Sequence, residues 1–544
     1  MGEGRKQKLS VAVERAMADE AALVLDTFGG KLHVKFDHTA SVTMLGQLPF
    51  FVEFLQASGL YERWIKSAAL HYNSPNAASV QDVLGTLFLA ALSGMRRYRH
   101  INALRADGVS PGLLGMTKIV SDDSLTRALG AMDEAAADQW LADQFDHLCA
   151  PLQTTPWILD IDTTIKPIYG HQEGATLGYN PHKPGRPSHA QRILAPHIHS
   201  YLMSELRLVL DVAVSPGREM ASKHALPGLE SVLDRCGATR VVELTDATCA
   251  TDITDPLTPS KRPRLVRGDC GFGNEATLAV CESRNVDYLF RLRQSANVKK
   301  LITRLFHKDR WQPADCGYEA YEATLKLVGW THERRVVVLR RRVRDKHGCI
   351  AVENVATGQL SFLDDSDPIK LYEHVVLVTS LGREGYELRT IAQLYRDRAD
   401  CENGFDELKN QWGWTGFTSQ EIKRSALMAR HIALIYNGWS LFVRAAHPKA
   451  RREAITSRPM LLNAVGRQTE HAGQRHLLIT SMHVAKEAVG LMLTHVHELL
   501  GRIKACAAQL LNTPPWHAIA ALIVEQILAC KLPIPPASLQ VADG

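Results

Sequence analysis

The spacing of apolar residues changes along the chain, and each change predicts a different kind of element. Over residues 1–150 apolar positions recur mostly at helical spacing, and Ser79 followed by Asp82 resembles a capping box that opens the helix VLGTLFLAALSG. Residues 151–295 alternate between strand-like and helix-like stretches. We therefore predict a helical N-terminal region and, after it, the first part of an α/β core.

The second half of the chain is predicted to interrupt this core and then complete it. Residues 296–371 contain YEAYEATLKLVGW and RRVVVLRRRVRD, whose alternating apolar positions are typical of strands. An apolar strand and further helices follow over residues 372–445, and residues 446–544 are predicted to be helical with a Pro-containing tail. The α/β core is thus divided by a β-rich insertion at 296–371.

Carboxylates interrupt two of the predicted core strands. In PWILDIDTTIKPIY, Asp160 and Asp162 point to the same face of the strand, because side chains alternate. Asp269 follows the short strand RLVRG at a glycine-rich turn, where a side chain is well placed to bind a metal at the edge of a sheet. The alternative is that neighbouring backbone groups or basic side chains satisfy each carboxylate.

A single predicted helix, YRDRADCENGFDELK, places four polar side chains in one line. Tyr395, Arg398, Glu402 and Lys409 are spaced by three, four and seven residues, so they fall within roughly a quarter-turn on an exposed face. The basic residues can grip phosphate oxygens, and the carboxylate can hold a hard divalent cation. The alternative is a solvated helix face that carries ordinary charge pairs.

The spacing of these four residues resembles the YREK signature of bacterial insertion-sequence transposases, which are DDE enzymes. The resemblance implies an α/β fold with an RNase H-like core, interrupted by a β-rich insertion and flanked by helical regions. It assigns catalysis and metal binding to Asp162, Asp269 and Glu402, with Asp160 as the alternative first acid. It assigns phosphate contacts to Tyr395, Arg398 and Lys409.

The same resemblance implies the reaction and the partners. Two Mg²⁺ or Mn²⁺ ions per active site would support phosphoryl transfer, by which element ends are cleaved and 3′-hydroxyl ends are joined to target DNA. The implied partners are double-stranded DNA, at terminal inverted repeats and at the target, and a second copy of the chain in a synaptic homodimer.

Other basic side chains are candidates for contact with the DNA backbone. The stretch MRRYRHINALR follows the first long helix and belongs to a candidate helix-turn-helix. Strand alternation places three arginines of RRVVVLRRRVRD on one face, although a charged edge strand is the alternative. The candidates in the glycine- and proline-rich loop after the first strand and in this arginine strand are Lys183, Arg186, Arg340, Arg342 and Arg344.

Two tryptophans of the predicted insertion are candidates for stacking on a flipped base. Trp311 and Trp330 lie on either side of the first insertion strand, and a flipped base needs an aromatic partner. Packing in the hydrophobic core is the alternative for each of them.

Composition agrees with this interpretation without deciding it. The 544 residues carry a net charge of +5, which permits DNA binding through local basic patches. The ten cysteines include no CxxC pair, and no apolar run approaches the ~20 residues needed to span a bilayer. We therefore expect a soluble, cytoplasmic protein with reduced thiols, associated with the bacterial nucleoid and not with a membrane.

Two alternatives to an active transposase stay open at the level of sequence. One is a catalytically inactive or domesticated relative that binds DNA without cutting it. The other is a carboxylate-pair hydrolase acting on sugars, in which Asp160 or Asp162 and Glu402 serve as acid and base. Independence from metal would distinguish the hydrolase.

Overall fold

The fold is described from a computed structural model of the 544-residue chain. The structure describes residues 23–35, 37, 39–72, 74, 76–153, 156–168, 170–177, 197–204, 206–217, 221–238, 261–343, 351–354, 359–362, 368–480, 485–505 and 514–531.

Strands and helices alternate through most of these residues. The strands are β1 (Leu23–Thr27), β2 (Gly30–Val34), β3 (Val42–Thr43), β4 (Ile158–Ile165), β5 (His197–Met203), β6 (Leu208–Ser215), β7 (Leu265–Gly268), β8 (Asp287–Arg291), β9 (Gln312–Pro313), β10 (Glu319–Leu325), β11 (Arg334–Arg342), β12 (Ala351–Asn354), β13 (Gln359–Phe362), β14 (Tyr372–Thr379), β15 (Gly466–His471) and β16 (Gln474–Ile479). The helices are α1 (Leu48–Ser58), α2 (Leu60–Lys66), α3 (Val80–Leu92), α4 (Ile101–Leu104), α5 (Ser110–Leu113), α6 (Asp122–Ala131), α7 (Glu134–Cys149), α8 (Ala221–Arg235), α9 (Glu275–Ser283), α10 (Ala296–Phe306), α11 (Leu388–Arg396), α12 (Ala399–Asn410), α13 (Ile422–Ala446), α14 (Ala454–Leu461), α15 (Lys486–Ala505) and α16 (Pro515–Lys531).

One large sheet organises the molecule. Within the described residues it has nine strands in the order β6-β5-β4-β7-β8-β14-β11-β10-β9. The neighbours β4, β5 and β6 run antiparallel to one another, whereas β7 runs parallel to β4 and β8 parallel to β7. The five strands β6, β5, β4, β7 and β8, with this order and these directions, form an RNase H-like core. This confirms the predicted fold class.

The β-rich insertion continues the core sheet. β11 pairs with β14 on one side and with β10 on the other, and β14 pairs with the core strand β8. Alternate side chains of β11 enter two different hydrophobic clusters, Val336 and Val338 in one, Val337 and Leu339 in the other. Because both faces of β11 are covered, it is a central strand and not the charged edge strand that the sequence left open.

A long central helix joins the N- and C-terminal helices to the sheet. α13 packs on β6 and also contacts α1, α3, α7, α15 and α16, and most of its residues are buried. A helix enclosed in this way buries apolar side chains on most of its circumference, and the polar residues that it also buries include Arg430, His431 and Asn437. Among the described residues, none of the helices combines the length and the apolar character needed to cross a membrane.

The C-terminal region contains the predicted helices, α14, α15 and α16, and also a hairpin that was not predicted. β15 and β16 form this antiparallel hairpin, and β15 also pairs with β3 from the N-terminal region. The turn residues Ala472 and Gly473 have φ angles of 51° and 76°, the positive values that a two-residue type I′ turn requires. The hairpin was missed because the segment has almost no apolar residues whose spacing would reveal a strand.

One buried asparagine forms hydrogen bonds with the backbone of the outer strand of the sheet. The Asn437 side chain of α13 accepts a hydrogen bond from Val209 N (2.9 Å) and donates one to Val209 O (2.7 Å) on the outer strand β6. Since Asn437 has no exposed surface, no water can replace it. We predict that Asn437→Leu lowers the free energy of unfolding by about 2–4 kcal/mol, because two buried backbone groups lose their partners. Urea denaturation measures the change, and Gln139→Leu on the exposed face of α7 should change it by less than about 0.5 kcal/mol.

A second buried polar residue of α13 makes the fold sensitive to acid. His431 is fully buried between Trp64 and Trp140, and neither ring nitrogen has a hydrogen-bond partner. Burial, with a smaller contribution from Arg430, lowers the pKa of His431 to about 3. The unfolded chain takes up this proton near pH 6.5 and the folded chain does not, so stability falls as the pH falls below that value.

We predict that His431 costs the wild type about 2 kcal/mol of stability between pH 7.5 and pH 5. The measurement is the free energy of unfolding in urea at both pH values for wild type and His431→Phe. The variant should lose less stability on acidification than the wild type, whereas His71→Gln at an exposed position should lose as much as the wild type does. Equal losses in wild type and His431→Phe would contradict this account.

Candidate active site

The parallel register of two core strands brings two of the predicted acids together. The pairing of β4 with β7 ends at Ile161 and Gly268, and the next residues in register are Asp162 and Asp269. Gly268 allows the strands and their neighbour to approach closely, since a Cβ atom there would lie 2.9 Å from the Phe290 ring. The Gly271 amide donates to Asp269 Oδ1 at 2.7 Å, which holds the Asp269 carboxylate at the start of the turn.

Asp162 is held by a backbone amide and by a guanidinium group. Thr163 N donates to its Oδ1 at 2.7 Å, and the Arg398 guanidinium lies 3.3 Å from its Oδ2. Burial is the main cause that raises the pKa of Asp162 to about 6, with Arg398 opposing the shift and the nearby charge of Asp269 adding to it. A carboxylate in this environment gains strongly from a nearby cation.

Arg398 links the first acid to the third. One guanidinium nitrogen contacts Asp162, and the other donates to Glu402 Oε1 at 2.5 Å. The same guanidinium lies 5.9 Å from the centre of the Tyr395 ring. Arg398 is only 7% exposed, so the prediction that it lies on an exposed face is wrong, although Glu402 itself is exposed.

The four signature residues do not share one helix, which corrects a second sequence prediction. α11 ends at Arg396 and α12 begins at Ala399, so Tyr395 and Arg398 lie on either side of a break. A continuous helix would bond Arg398 N to the Leu394 carbonyl, but Arg398 N donates to Tyr395 O at 3.2 Å instead. The Leu394 carbonyl accepts a hydrogen bond from Arg267 Nη1 at 2.5 Å.

Asp160 holds the arginine that occupies this break. Arg267 Nε and Nη2 donate to the two carboxylate oxygens of Asp160, each at 2.7 Å, and Nη2 also donates to Ser204 Oγ. Asp160 has no exposed surface and Arg267 is 1% exposed. Both oxygens of Asp160 are therefore engaged in an ion pair, which favours Asp162 as the first acid and removes Asp160 as the acid of a sugar hydrolase.

A cavity of about 230 Å³ opens beside Glu402, between α11, α12 and the insertion strands. Its floor is apolar, and its polar lining consists of Arg291, Tyr318, Tyr395, Arg396, Arg398 and Glu402. Guanidinium groups and phenol hydroxyls are donors that suit an anionic group, although Arg396 is paired with Asp315 and Tyr318 donates to Glu373. Arg291 and Tyr318 come from segments far from the signature, so sequence reasoning did not find them.

The structure places several of the predicted DNA contacts in packing interactions. Arg340 donates to Glu319 and to the Phe306 carbonyl, and it lies 4.0 Å above the Trp311 ring. Trp330 is buried with Arg334 beside its ring. These contacts favour the packing role for both tryptophans, because a ring covered by its own protein cannot stack on a base.

Other predicted contacts keep an accessible side chain. Arg342 is exposed at the end of β11, and Lys409 is half-exposed near the end of α12. The stretch MRRYRHINALR is a loop and two short helical turns in this structure, and its Arg96 contacts the Asn410 carbonyl next to Lys409. Three of the candidates, Lys183, Arg186 and Arg344, lie outside the described residues.

The carboxylates of the site suit a hard divalent cation, although the Arg398 guanidinium lies between Asp162 and Glu402. Asp162 and Asp269 are adjacent carboxylates, the oxygen ligands that Mg²⁺ and Mn²⁺ prefer. Within the described part of the chain, no three histidine, cysteine or acidic side chains are grouped closely enough to hold a metal. In the structure Arg398 contacts both Asp162 and Glu402. The carboxylates suit the cation in their chemistry, but Glu402 would have to leave Arg398 to bind it together with Asp162 and Asp269.

We predict opposite effects on stability for two neighbouring acids of β4. Asp160→Asn should lower the free energy of unfolding by about 3–5 kcal/mol, because it leaves the buried charge of Arg267 without a partner. Asp162→Asn should keep or raise stability at pH 8, because above pH 6 the ionised Asp162 is held in a site that disfavours its charge. Urea denaturation at pH 8 measures the free energy of unfolding of both variants. An equal decrease in the two variants would contradict these different roles of Asp160 and Asp162.

Comparisons with known proteins identify the family of the chain. A search of curated proteins found no match. A cryo-EM structure of a piggyBac transposase synaptic complex with hairpin DNA aligns at a TM-score of 0.36 and 11% identity, over 92% of this chain and 88% of that one, a similarity too low to carry a correspondence of residues. The profile of the transposase DDE domain family matches residues 153–437, more than half of the chain. The chain therefore belongs to the family of transposases with a DDE domain.

Proposed function

We propose that the protein is an active DNA transposase of the bacterial insertion-sequence type with the YREK signature. It binds terminal inverted repeats, cleaves the DNA at the ends of its element and joins the 3′-hydroxyl ends to target DNA. The observation that carries this proposal is the register of β4 and β7, which sets Asp162 beside Asp269 within reach of Arg398 and Glu402. DNA as the substrate would place the protein at the bacterial nucleoid.

The reaction is an in-line displacement at phosphorus. In cleavage, a water oxygen forms a bond to phosphorus while the bond to the 3′ oxygen breaks, which leaves a 3′-hydroxyl and a 5′-phosphate. In joining, that 3′-hydroxyl attacks a phosphate of the target and displaces another 3′ oxygen. Asp162, Asp269 and Glu402 would hold two Mg²⁺ or Mn²⁺ ions, whose charge activates the attacking oxygen and stabilises the leaving one.

Arg398 has a central task in this scheme. In the structure its two terminal nitrogens contact two carboxylates, so it supplies the positive charge between Asp162 and Glu402. If those acids held cations, the same two nitrogens would be available for a phosphate, which they could bind in a bidentate manner. Tyr395 lines the cavity beside Glu402, and we assign its hydroxyl to a hydrogen bond with a phosphate oxygen.

The DNA beyond the cleaved phosphate needs further positive charge. Lys409 lies two turns along α12 from Glu402, and Arg96 contacts the end of that helix. Arg97 and Arg99 follow it in the chain and are exposed, with Arg99 3.4 Å from Asp122. Gly416 has no room for a side chain, since a Cβ atom there would lie 2.1 Å from the Arg96 carbonyl, so this loop is held tightly against the core. We assign Lys409 and these arginines to the DNA backbone.

The proposal includes two copies of the chain, one at each end of the element, in a synaptic homodimer. Each copy would hold one cleaved end, and the two ends would be joined to opposite strands of the target. An inactive relative would keep the DNA-binding side chains and lose only the cleavage, so the two alternatives differ in one assay.

We predict that wild type cuts labelled duplexes taken from the DNA flanking its coding sequence in Mg²⁺ or Mn²⁺ and not in EDTA. Asp162→Asn, Asp269→Asn and Glu402→Gln should each lower the cleavage rate by roughly 10²–10³-fold or more, because each removes charge stabilisation at the reacting phosphate. Gel electrophoresis measures cutting, anisotropy measures DNA binding, and titration calorimetry with Mn²⁺ alone measures the cation. The Mn²⁺ affinity should fall in all three variants while DNA binding is kept.

Asp406→Asn is the matched control, because Asp406 is an exposed acid on the same helix as Glu402. It should cut at a rate within about twofold of the wild-type rate, as surface changes away from a site usually do little. Specific DNA binding by a wild type that never cuts, with correct ends supplied, would favour the inactive relative. Cutting that persists in EDTA would contradict the two-metal mechanism.

A further inference from the structure

The β15–β16 hairpin, named here the ribbon, projects from the helical side of the molecule. Each strand has six residues, so the ribbon is about 20 Å long. From Thr469 to His476 every residue is exposed. The tight turn at Ala472 and Gly473 keeps the two strands paired up to the tip.

The two faces of the ribbon differ in charge. One face carries Arg467, Thr469, His471, Gln474, His476 and Leu478, all exposed and none acidic. On the other face Gln468 and Leu477 are partly buried, and Glu470 lies directly opposite Arg475, so their charges cancel. Asp37 lies beside the ribbon. Hydrogen bonds from Thr39 lower the pKa of Asp37, and the charge of Arg467 lowers it slightly further. The exposed face is therefore rich in hydrogen-bond donors and lacks carboxylates of its own.

The base of the ribbon is fixed to the core. β15 pairs with β3, and Gln468 N donates to Ser41 O at 2.8 Å. Gly46 and Gly466 are in close contact, because a Cβ atom on Gly466 would lie 3.2 Å from Gly46 Cα. A ribbon anchored in this way keeps one direction relative to the rest of the chain.

The helix before the ribbon is hydrogen-bonded to the end of the helix that carries Glu402 and Lys409. α14, which precedes the ribbon, is bound to Gln411 just after α12: Ile455 N donates to Gln411 Oε1 at 2.7 Å, and Arg458 Nη1 donates to Gln411 O at 2.6 Å. Only four residues separate the end of α14 from the first residue of β15. The ribbon is thus joined through α14 to the end of the helix that carries Lys409.

We propose that the ribbon enters the major groove of the element's terminal DNA and contacts base edges with its acid-free face. The groove is about 12 Å wide and admits a two-stranded ribbon, and arginine and glutamine are the side chains that read guanine and adenine there. A face without carboxylates can approach the phosphates on both sides of the groove without repulsion. This inference rests on the proposed function, since it names where the same DNA is read.

The test compares two pairs of substitutions that leave the fold alone. Arg467→Ala with Gln474→Ala changes the acid-free face, and Glu470→Ala with Arg475→Ala changes the other face without altering the net charge. Anisotropy measures binding to duplexes from the DNA flanking the coding sequence and to shuffled duplexes of equal length, in Ca²⁺ or EDTA, over a range of KCl. Hydroxyl-radical footprinting maps the contact, and circular dichroism with urea denaturation verifies folding.

The acid-free-face variant should bind the flanking duplex about 10- to 100-fold more weakly than wild type, lose one protected patch and lose most of its preference over shuffled duplexes. The Glu470→Ala, Arg475→Ala variant should bind within about twofold of wild type. If the double variant fails to fold, the single change Gln474→Ala at the exposed tip carries the test and should relax the preference for the flanking duplex.

Wild-type affinity and an unchanged footprint in the acid-free-face variant would overturn the ribbon proposal alone. If wild type does not distinguish flanking from shuffled duplexes, the proposed function itself fails, so the two failures are separable. An equal loss of affinity in both double variants would also overturn the proposal, because the ribbon would then act without a reading face.

Discussion

The ion pair between Asp160 and Arg267 determines the arrangement of the whole candidate site. It joins the two central strands, β4 and β7, from the interior, and the third arm of the guanidinium takes the Leu394 carbonyl from α11. The helix is interrupted at this point. Arg398 therefore lies buried between Asp162 and Glu402 and not on an exposed helix face. A buried pair of this kind contributes little net stability, since desolvation offsets its attraction. Its value lies in geometry: it aligns the strands that carry two acids with the helix that carries the third.

Much of the fold follows from the sequence because it depends on local pattern. Strand alternation puts Asp160 and Asp162 on one face, and the switch between strand and helix spacing predicts the layered core and the insertion. The break between α11 and α12 could not be predicted, since its cause is Arg267, more than a hundred residues earlier in the chain. The ribbon was missed for a different reason: a strand with solvent on both faces has no apolar rhythm. The cavity beside Glu402 was missed because Arg291 and Tyr318 reach it only through sheet pairing.

Charge balance within the candidate site depends on Arg398. Asp162 and Asp269 are next to each other in register, and burial raises the pKa of Asp162, with the charge of Asp269 adding a smaller increase. Arg398 compensates for this by placing a positive charge at Asp162 and at Glu402. Arg398 is therefore the partner of two acids at once. Lysine cannot bridge two carboxylates in the same way.

The continuity of the nine-stranded sheet has a mechanical consequence. The insertion strands β10 and β11 are joined to the catalytic strands through an unbroken ladder of backbone hydrogen bonds across β14 and β8. Such a ladder resists shear, so the arginine at the far end of β11 and the aspartate at the end of β4 move as parts of one stiff plate. A ligand bound to the insertion strands would therefore keep a constant position relative to Asp162 and Asp269. Any rearrangement around the candidate site would have to take place in the helices and loops that surround this plate.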